Sequence, residues 1–239
     1  MKFFNRATFE NVGSRMIVTP AGFKAAVIQN VFLPEAYQKL LAAYPPLSLF
    51  NYHEDAFKKV YEGPHYDSQE YKGCIAHFAP LDPIWKELLL EATSEEFMNL
   101  FSKSTGVIFN TVRNFSWKYG KEGCEIKPHL DQAAMHQNVL RSRLVSLSYF
   151  AAKPGMGPGG TVIYSADRSK TVLEAQDLYN SMLFFEQHKD AWHGYKPMKQ
   201  GEERRALAMT FNLEEQPTRI KTPFAHKLFC AKCLSQFFS

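Results

Sequence analysis

The spacing of apolar residues divides the chain into two parts of different character. In the first, Tyr37, Leu40, Leu41 and Tyr44 follow Pro34 at helical spacing, and the Pro45-Pro46 pair ends the run. Proline suits the first helical position, where its missing N–H would have no intrahelical partner. The pattern predicts an amphipathic helix. A second helix is predicted from the Asp82-Pro83 cap, with Trp85, Leu88, Leu89 and Ala92 on one face. A third restarts at Thr93, with Glu96 completing a capping box and Gly106 closing the helix. The stretch from Asn51 to Lys72 is polar and turn-rich, and reads as a flexible loop able to cover a site and choose its substrate.

From Val107 onward the runs VIFNTVRNFSWKY, RLVSLSYFA, TVIY, TVL, SMLFFE and ALAMTFNL are short and rich in β-branched and aromatic residues, with Gly, Pro and polar turns between them. No helical pattern separates them, which argues a sandwich or barrel rather than a parallel α/β sheet. The expected fold class is mainly β with flanking helices. The expected organisation is a single domain over residues 1–239: a helical part with a loop over 1–106, a β-barrel core over 107–213 and an extension over 214–239.

Composition narrows the function. With 45% hydrophobic residues the chain has ample material for a core, which excludes disorder. The 28 basic and 24 acidic residues are interspersed, so the net charge of +4 implies no nucleic-acid partner. Four cysteines, at 74, 124, 230 and 233, are too few and too uneven for a secreted disulfide framework. The opening MKFFNRATFENVGS lacks a signal-peptide apolar run, and no segment approaches the roughly 18 apolar residues of a membrane span. A soluble, cytoplasmic protein without a membrane partner is expected.

Candidate chemistry begins in KPHLDQ. On a strand, His129 and Asp131 point to one side and Leu130 to the other. The dipeptide pattern is weak alone, and a second histidine must complete it. His188 and His193 both follow the run SMLFF. His188 sits in the polar EQHKD turn, whereas a strand turning into Trp-His-Gly would bring His193 to a barrel mouth. His193 is therefore preferred. Two imidazoles and one carboxylate on one face, with three positions open, suit iron(II). In GEERRALAMTFNL, Arg204 shares a strand face with Ala206, Ala208 and Thr210, while Arg205 shares the other with Leu207, Met209, Phe211 and Leu213. The small residues beside Arg204 leave room for a ligand, and its guanidinium fork matches a carboxylate.

Taken together, Tyr119-Gly120, KEGCEIKPHLD, LSYF, GPGGTVIY, SMLFFEQHKDAWHG and ERRALAMTF resemble, in order and spacing, the prolyl 4-hydroxylase-like group of iron(II)/2-oxoglutarate-dependent oxygenases. The likeness covers roughly residues 107 to 213, and FLPEAYQKLL resembles the opening helix of that group. The resemblance implies a double-stranded β-helix (a jelly-roll barrel) with N-terminal helices packed on it. It implies Fe(II) held by His129, Asp131 and His193, and 2-oxoglutarate paired through its distal carboxylate with Arg204. Tyr149 and Tyr119 fall where family tyrosines help to position that co-substrate. No catalytic residue is implied beyond the metal ligands.

The implied activity is that of a dioxygenase which uses dioxygen and 2-oxoglutarate, with ascorbate as reductant, and releases succinate and CO2. The substrate would be an amino-acid-like small molecule or a protein side chain. Halogenating relatives lack the carboxylate ligand, and this chain keeps Asp131, which favours hydroxylation, desaturation or ring closure. One position departs from the pattern: the hydroxyl residue common four places after the clamp arginine is Ala208 here. The alternative reading is a non-catalytic β-barrel that binds a metal or a partner.

Two further motifs compete. His226, Cys230 and Cys233 have spacing that could seed a zinc site, but a structural site wants four ligands and no second cluster matches; with Leu228, Phe229 and Leu234 the segment reads as amphipathic. Gly155, Gly157, Gly159 and Gly160 lack the strand-to-helix context of a phosphate-binding loop and read as a strand connection.

Overall fold

The computed structural model describes residues 1–67, 81–131, 143–155, 157 and 159–213. The cysteines at 74, 230 and 233, and His226, lie outside these residues. The strands are β1 (Ile17–Val18), β2 (Lys24–Gln29), β3 (Asn51–Glu54), β4 (Lys58–Asp67), β5 (Phe109–Gly120), β6 (Glu125–His129), β7 (Arg143–Tyr149), β8 (Val162–Tyr164), β9 (Thr171–Glu174), β10 (Ser181–Glu186), β11 (His193–Tyr195) and β12 (Arg204–Leu213). The helices are α1 (Arg6–Glu10), α2 (Pro34–Ala42), α3 (Pro83–Ala92) and α4 (Glu95–Thr105).

The strands join antiparallel in the order β1-β2-β10-β7-β12-β5-β4-β6-β11-β8-β9. β4 is the link between two halves of this ladder. Its first residues, Lys58 and Lys59, pair with β6, and Tyr61 to Asp67 pair with β5, with a shift of register between Glu62 and His65. The ladder folds back on itself there. Tyr149, Leu183, Phe185 and Ala206 of the long strands share one apolar cluster with Ile163 and Ala191 from the other half. The result is the expected double-stranded β-helix.

The helices cover the opposite face of the long strands. Tyr37 and Leu40 of α2, Trp85 and Leu88 of α3, and Phe97 and Phe101 of α4 are buried with Phe184, Leu207, Met209 and Phe211. Truncating one such side chain to alanine costs about 2–5 kcal/mol. α2 starts at Pro34 as expected. Asp82 caps α3 through its carboxylate, which accepts from the Ile84 amide at 2.9 Å.

Two expectations shift. The cap of α4 is Ser94, whose hydroxyl accepts from the Phe97 amide. Thr93 instead ends α3 and donates back to the Leu89 carbonyl. The helix still ends at Gly106, in the left-handed region at φ 65°. The second change concerns Asn51 to Lys72: residues 51–67 form the β3–β4 hairpin, and the remaining five positions lie outside the described residues. Asp55 closes the turn by accepting from the amides of Phe57 and Lys58. Every residue of β3 is exposed, so no buried face marks it as a strand. No helix among the described residues is long and apolar enough to cross a membrane.

Candidate metal and carboxylate site

β6 ends on His129 and β11 begins on His193, and these two residues are direct register partners. Asp131 follows two places beyond His129. Its Oδ1 lies 3.8 Å from His129 Nε2 and 3.6 Å from His193 Nε2. One donor atom from each of the three residues lies within 4.8 Å of the others. An ion with bonds of about 2.0–2.2 Å needs only side-chain adjustment to be held by all three.

The ring orientation suits that role. His193 Nδ1 lies 2.9 Å from the Ala191 carbonyl and His129 Nδ1 lies 3.1 Å from the Lys127 carbonyl. A carbonyl only accepts, so each Nδ1 carries the proton and each Nε2 presents its lone pair to the cluster. Burial, followed by the neighbouring His193, pushes the His129 pKa down, which favours the neutral ring. His193 is buried, with the Phe185 ring 4.6 Å away. His188 is placed elsewhere: its ring stacks on Phe23 and its Nδ1 accepts from the Asp190 amide.

Arg204 is only 2% exposed. Its Nε donates to the Gly159 carbonyl at 2.7 Å, and its Nη2 reaches the Thr161 hydroxyl at 3.5 Å. The guanidinium carbon lies 4.7 Å from the Tyr195 ring centre and 5.4 Å from that of Tyr149. Among the described residues no carboxylate pairs with it. A buried charge without a counter-ion is costly, and this one keeps guanidinium N–H groups for an anion. Arg205, on the other face, donates to Glu203 at 2.6 Å and is half-exposed.

The strand register shows what lies between the two halves of the site. Ala206 pairs with Tyr149, Ala208 with Leu147 and Thr210 with Val145, and Val145 pairs in turn with Phe185, which touches His193. That face therefore sets the small Ala206, Ala208 and Thr210 of β12 beside Tyr149, Leu147 and Val145 of β7. Ala208 offers no hydroxyl, but Thr161 brings one to the guanidinium. Gly157 and Gly160 belong to a strand connection, as expected: a Cβ on either would come within 1.7 Å of the carbonyl oxygen of Gln176 or Ala175, respectively.

Of the two tyrosines, Tyr149 is fully buried beside Arg204, and its hydroxyl accepts from the Thr161 amide. Tyr119 pairs in register with Arg205 and packs against Phe50 and Tyr61, on the face away from Arg204. Sequence reasoning missed Tyr195. It stands two places after His193 on the same strand, a spacing that puts both on one side. Burial, partly offset by Arg204, pushes its phenol pKa up to about 12.

An antiparallel double-stranded β-helix with a His-Asp-His cluster and a buried arginine on its inner face defines a class. Residues 115–212 match the family model of the 2OG-Fe(II) oxygenase superfamily. That stretch carries all four of these residues. Solved structures agree in fold. A Pseudomonas putida prolyl-4-hydroxylase is similar at TM-score 0.57 and 12% identity, over 87% of this chain and 97% of that one. A 2OG-Fe(II) oxygenase family oxidoreductase from Burkholderia pseudomallei gives 0.54 and 12%, over 87% and 88%. The viral collagen prolyl hydroxylase of Paramecium Bursaria Chlorella virus-1 gives 0.52 and 12%, over 79% and 95%. No curated protein sequence matches the chain. The superfamily implies Fe(II) and 2-oxoglutarate.

Proposed function

We propose that this chain is an iron(II)- and 2-oxoglutarate-dependent dioxygenase that hydroxylates an amino-acid-like small molecule or a protein side chain. The observation that carries the reading is Arg204: a buried guanidinium with no acidic partner among the described residues, on the wall that leads to the His-Asp-His cluster. His129, Asp131 and His193 would hold the iron. When bound, iron and 2-oxoglutarate supply the oxidising chemistry, with succinate and CO2 as products. The protein's residues bind and orient.

Arg204 offers two-pronged donation to the distal carboxylate of the co-substrate, with Thr161 beside it replacing the hydroxyl that Ala208 lacks. Tyr149 and Tyr195 wall the guanidinium on its aromatic sides and exclude water from it. The Nδ1–H bonds to Lys127 and Ala191 keep both imidazoles in the ligating tautomer. Asp131 retains the carboxylate that halogenating relatives lack, which favours hydroxylation, desaturation or ring closure over halogenation.

Purified protein with iron(II), ascorbate and 2-oxoglutarate should release succinate above a His129→Ala control, even without a substrate. Equal background from both proteins, in the presence of confirmed metal and 2-oxoglutarate binding, would favour the non-catalytic barrel. Adding candidate amino acids, peptides and proteome fractions then seeks a mass gain of one oxygen that disappears in Asp131→Ala.

A further inference from the structure

Asp131 presents its two oxygens to different partners. Oδ1 faces both histidines, at 3.8 and 3.6 Å. Oδ2 accepts from the side-chain amide of Gln187 at 2.6 Å. Only the amide nitrogen can face a carboxylate favourably, which fixes the orientation of the Gln187 head group. We propose that Gln187 is a positioning residue that holds Asp131 as a one-oxygen ligand and keeps the remaining positions of the metal free. The inference rests on the metal reading of the same site.

The residues on either side of Gln187 make this contact well supported. Glu186 ends β10 and accepts from the Lys24 amide at 2.8 Å, which pins the strand end to β2. His188 stacks on Phe23 and closes the turn through the Asp190 amide. Gln187 therefore projects from backbone anchored on both sides. A neutral donor is also the right choice here. It occupies Oδ2 without cancelling the carboxylate charge, so the full charge stays available to a cation. With Oδ2 taken, Oδ1 alone meets the metal, and a facial set of three donors leaves three positions open. A carboxylate free to swing could use both oxygens and close one of them.

Partners of this kind typically contribute 10–100-fold to metal affinity. The test is a Co(II) titration of the full chain against a chelating dye, with the visible spectrum of bound Co(II) as a second readout. Gln187→Met keeps the length and removes the donor; it should bind Co(II) about 10–100-fold more weakly and show shifted bands. Gln187→Asn keeps a neutral amide donor one methylene shorter and should recover part of the loss. Lys189→Ala, at an exposed position of the same turn, should bind as the parent does. Metal-free melting temperatures check the fold, and Gln187→Ser carries the same comparison should the methionine variant melt early. Affinity within twofold of the parent with unchanged bands would overturn the proposal, as would equal losses in the methionine and asparagine variants, since packing alone would then explain them. Failure of the parent protein itself to bind Co(II) would remove the metal reading beneath it.

Discussion

The rings of His129 and His193 are partners across β6 and β11, with centroids 4.3 Å apart. Their separation is set by strand pairing and so survives local side-chain motion. Metal binding and the pairing of these two strands should accordingly support one another. One iron per chain is expected, lost in His129→Ala, Asp131→Ala and His193→Ala, and kept in His188→Ala and His136→Ala. Metal analysis of the purified variants decides it. In the parent protein, metal at about a hundred times its dissociation constant should add about 2.7 kcal/mol of stability; a melting temperature indifferent to metal would contradict the coupling.

Arg204 and Arg205 are adjacent in sequence and opposite in environment. Arg204→Ala should raise the 2-oxoglutarate concentration needed for half-saturation at least tenfold, the loss of a charge-assisted pair of about 1.5–3 kcal/mol. Arg205→Ala should change it little. Tyr195→Leu should weaken binding less than Arg204→Ala, because only the ring contact is lost. Anaerobic titration of the metal-loaded protein measures all three, and equal effects at 204 and 205 would undo the face assignment.

Gly160 lies where the connection before β8 passes against Ala175. A Cβ there would sit 1.7 Å from the Ala175 carbonyl oxygen, so the backbone must move, and Gly159 moves with it. Gly159 accepts from Arg204. Gly160→Ala is expected to weaken 2-oxoglutarate binding without touching any group that contacts it. Unchanged affinity and melting temperature would show that the loop yields freely.

Ser94→Ala should cost about 1 kcal/mol through loss of the α4 cap. Thr93→Ala should cost much less, since back-donation to a carbonyl four residues earlier contributes little. Denaturant unfolding of both variants gives the comparison, and the reverse order would restore Thr93 as the cap.

Glu62 accepts from Lys118 at 3.1 Å and from Lys58 at 3.2 Å. Burial alone would raise its pKa, but the two lysines outweigh burial and the value is lowered. Such a carboxylate stabilises the fold above its unfolded pKa and loses that contribution as pH falls through the folded one. Glu62→Gln should therefore lower stability at neutral pH and make little difference in strong acid. A constant difference at both would assign the effect to packing.

The convergence of His129, Asp131 and His193 and the inward placement of Arg204 were legible in the sequence because each depends on a short-range rule. Face alternation separates Arg204 from Arg205, and the strand-then-turn pattern separates His193 from His188. Features that depend on pairing register were not legible. Tyr119 shares a strand with residues facing both ways, and only the β5–β12 register sets it opposite Arg205. The β3–β4 hairpin was hidden because β3 buries no face, so its side chains carry no period. Gln187 lay inside a turn that reads as solvated, and its contact with Asp131 spans 56 residues. The one-residue shift from Thr93 to Ser94 follows from two adjacent hydroxyl residues, either of which satisfies the capping pattern.

β2 finds its principal partner, β10, more than 150 residues later in the chain, with Gln29 set opposite Ser181. A ribosome adding roughly 5–20 residues per second leaves that strand waiting for about ten to thirty seconds. Of the core neighbours of Ala26 and Ile28, Phe9, Tyr37, Phe97 and Phe101 are made well before Phe184 of β10. β10, on arrival, fills the gap between β2 and β7, and in the same event carries Gln187 to Asp131.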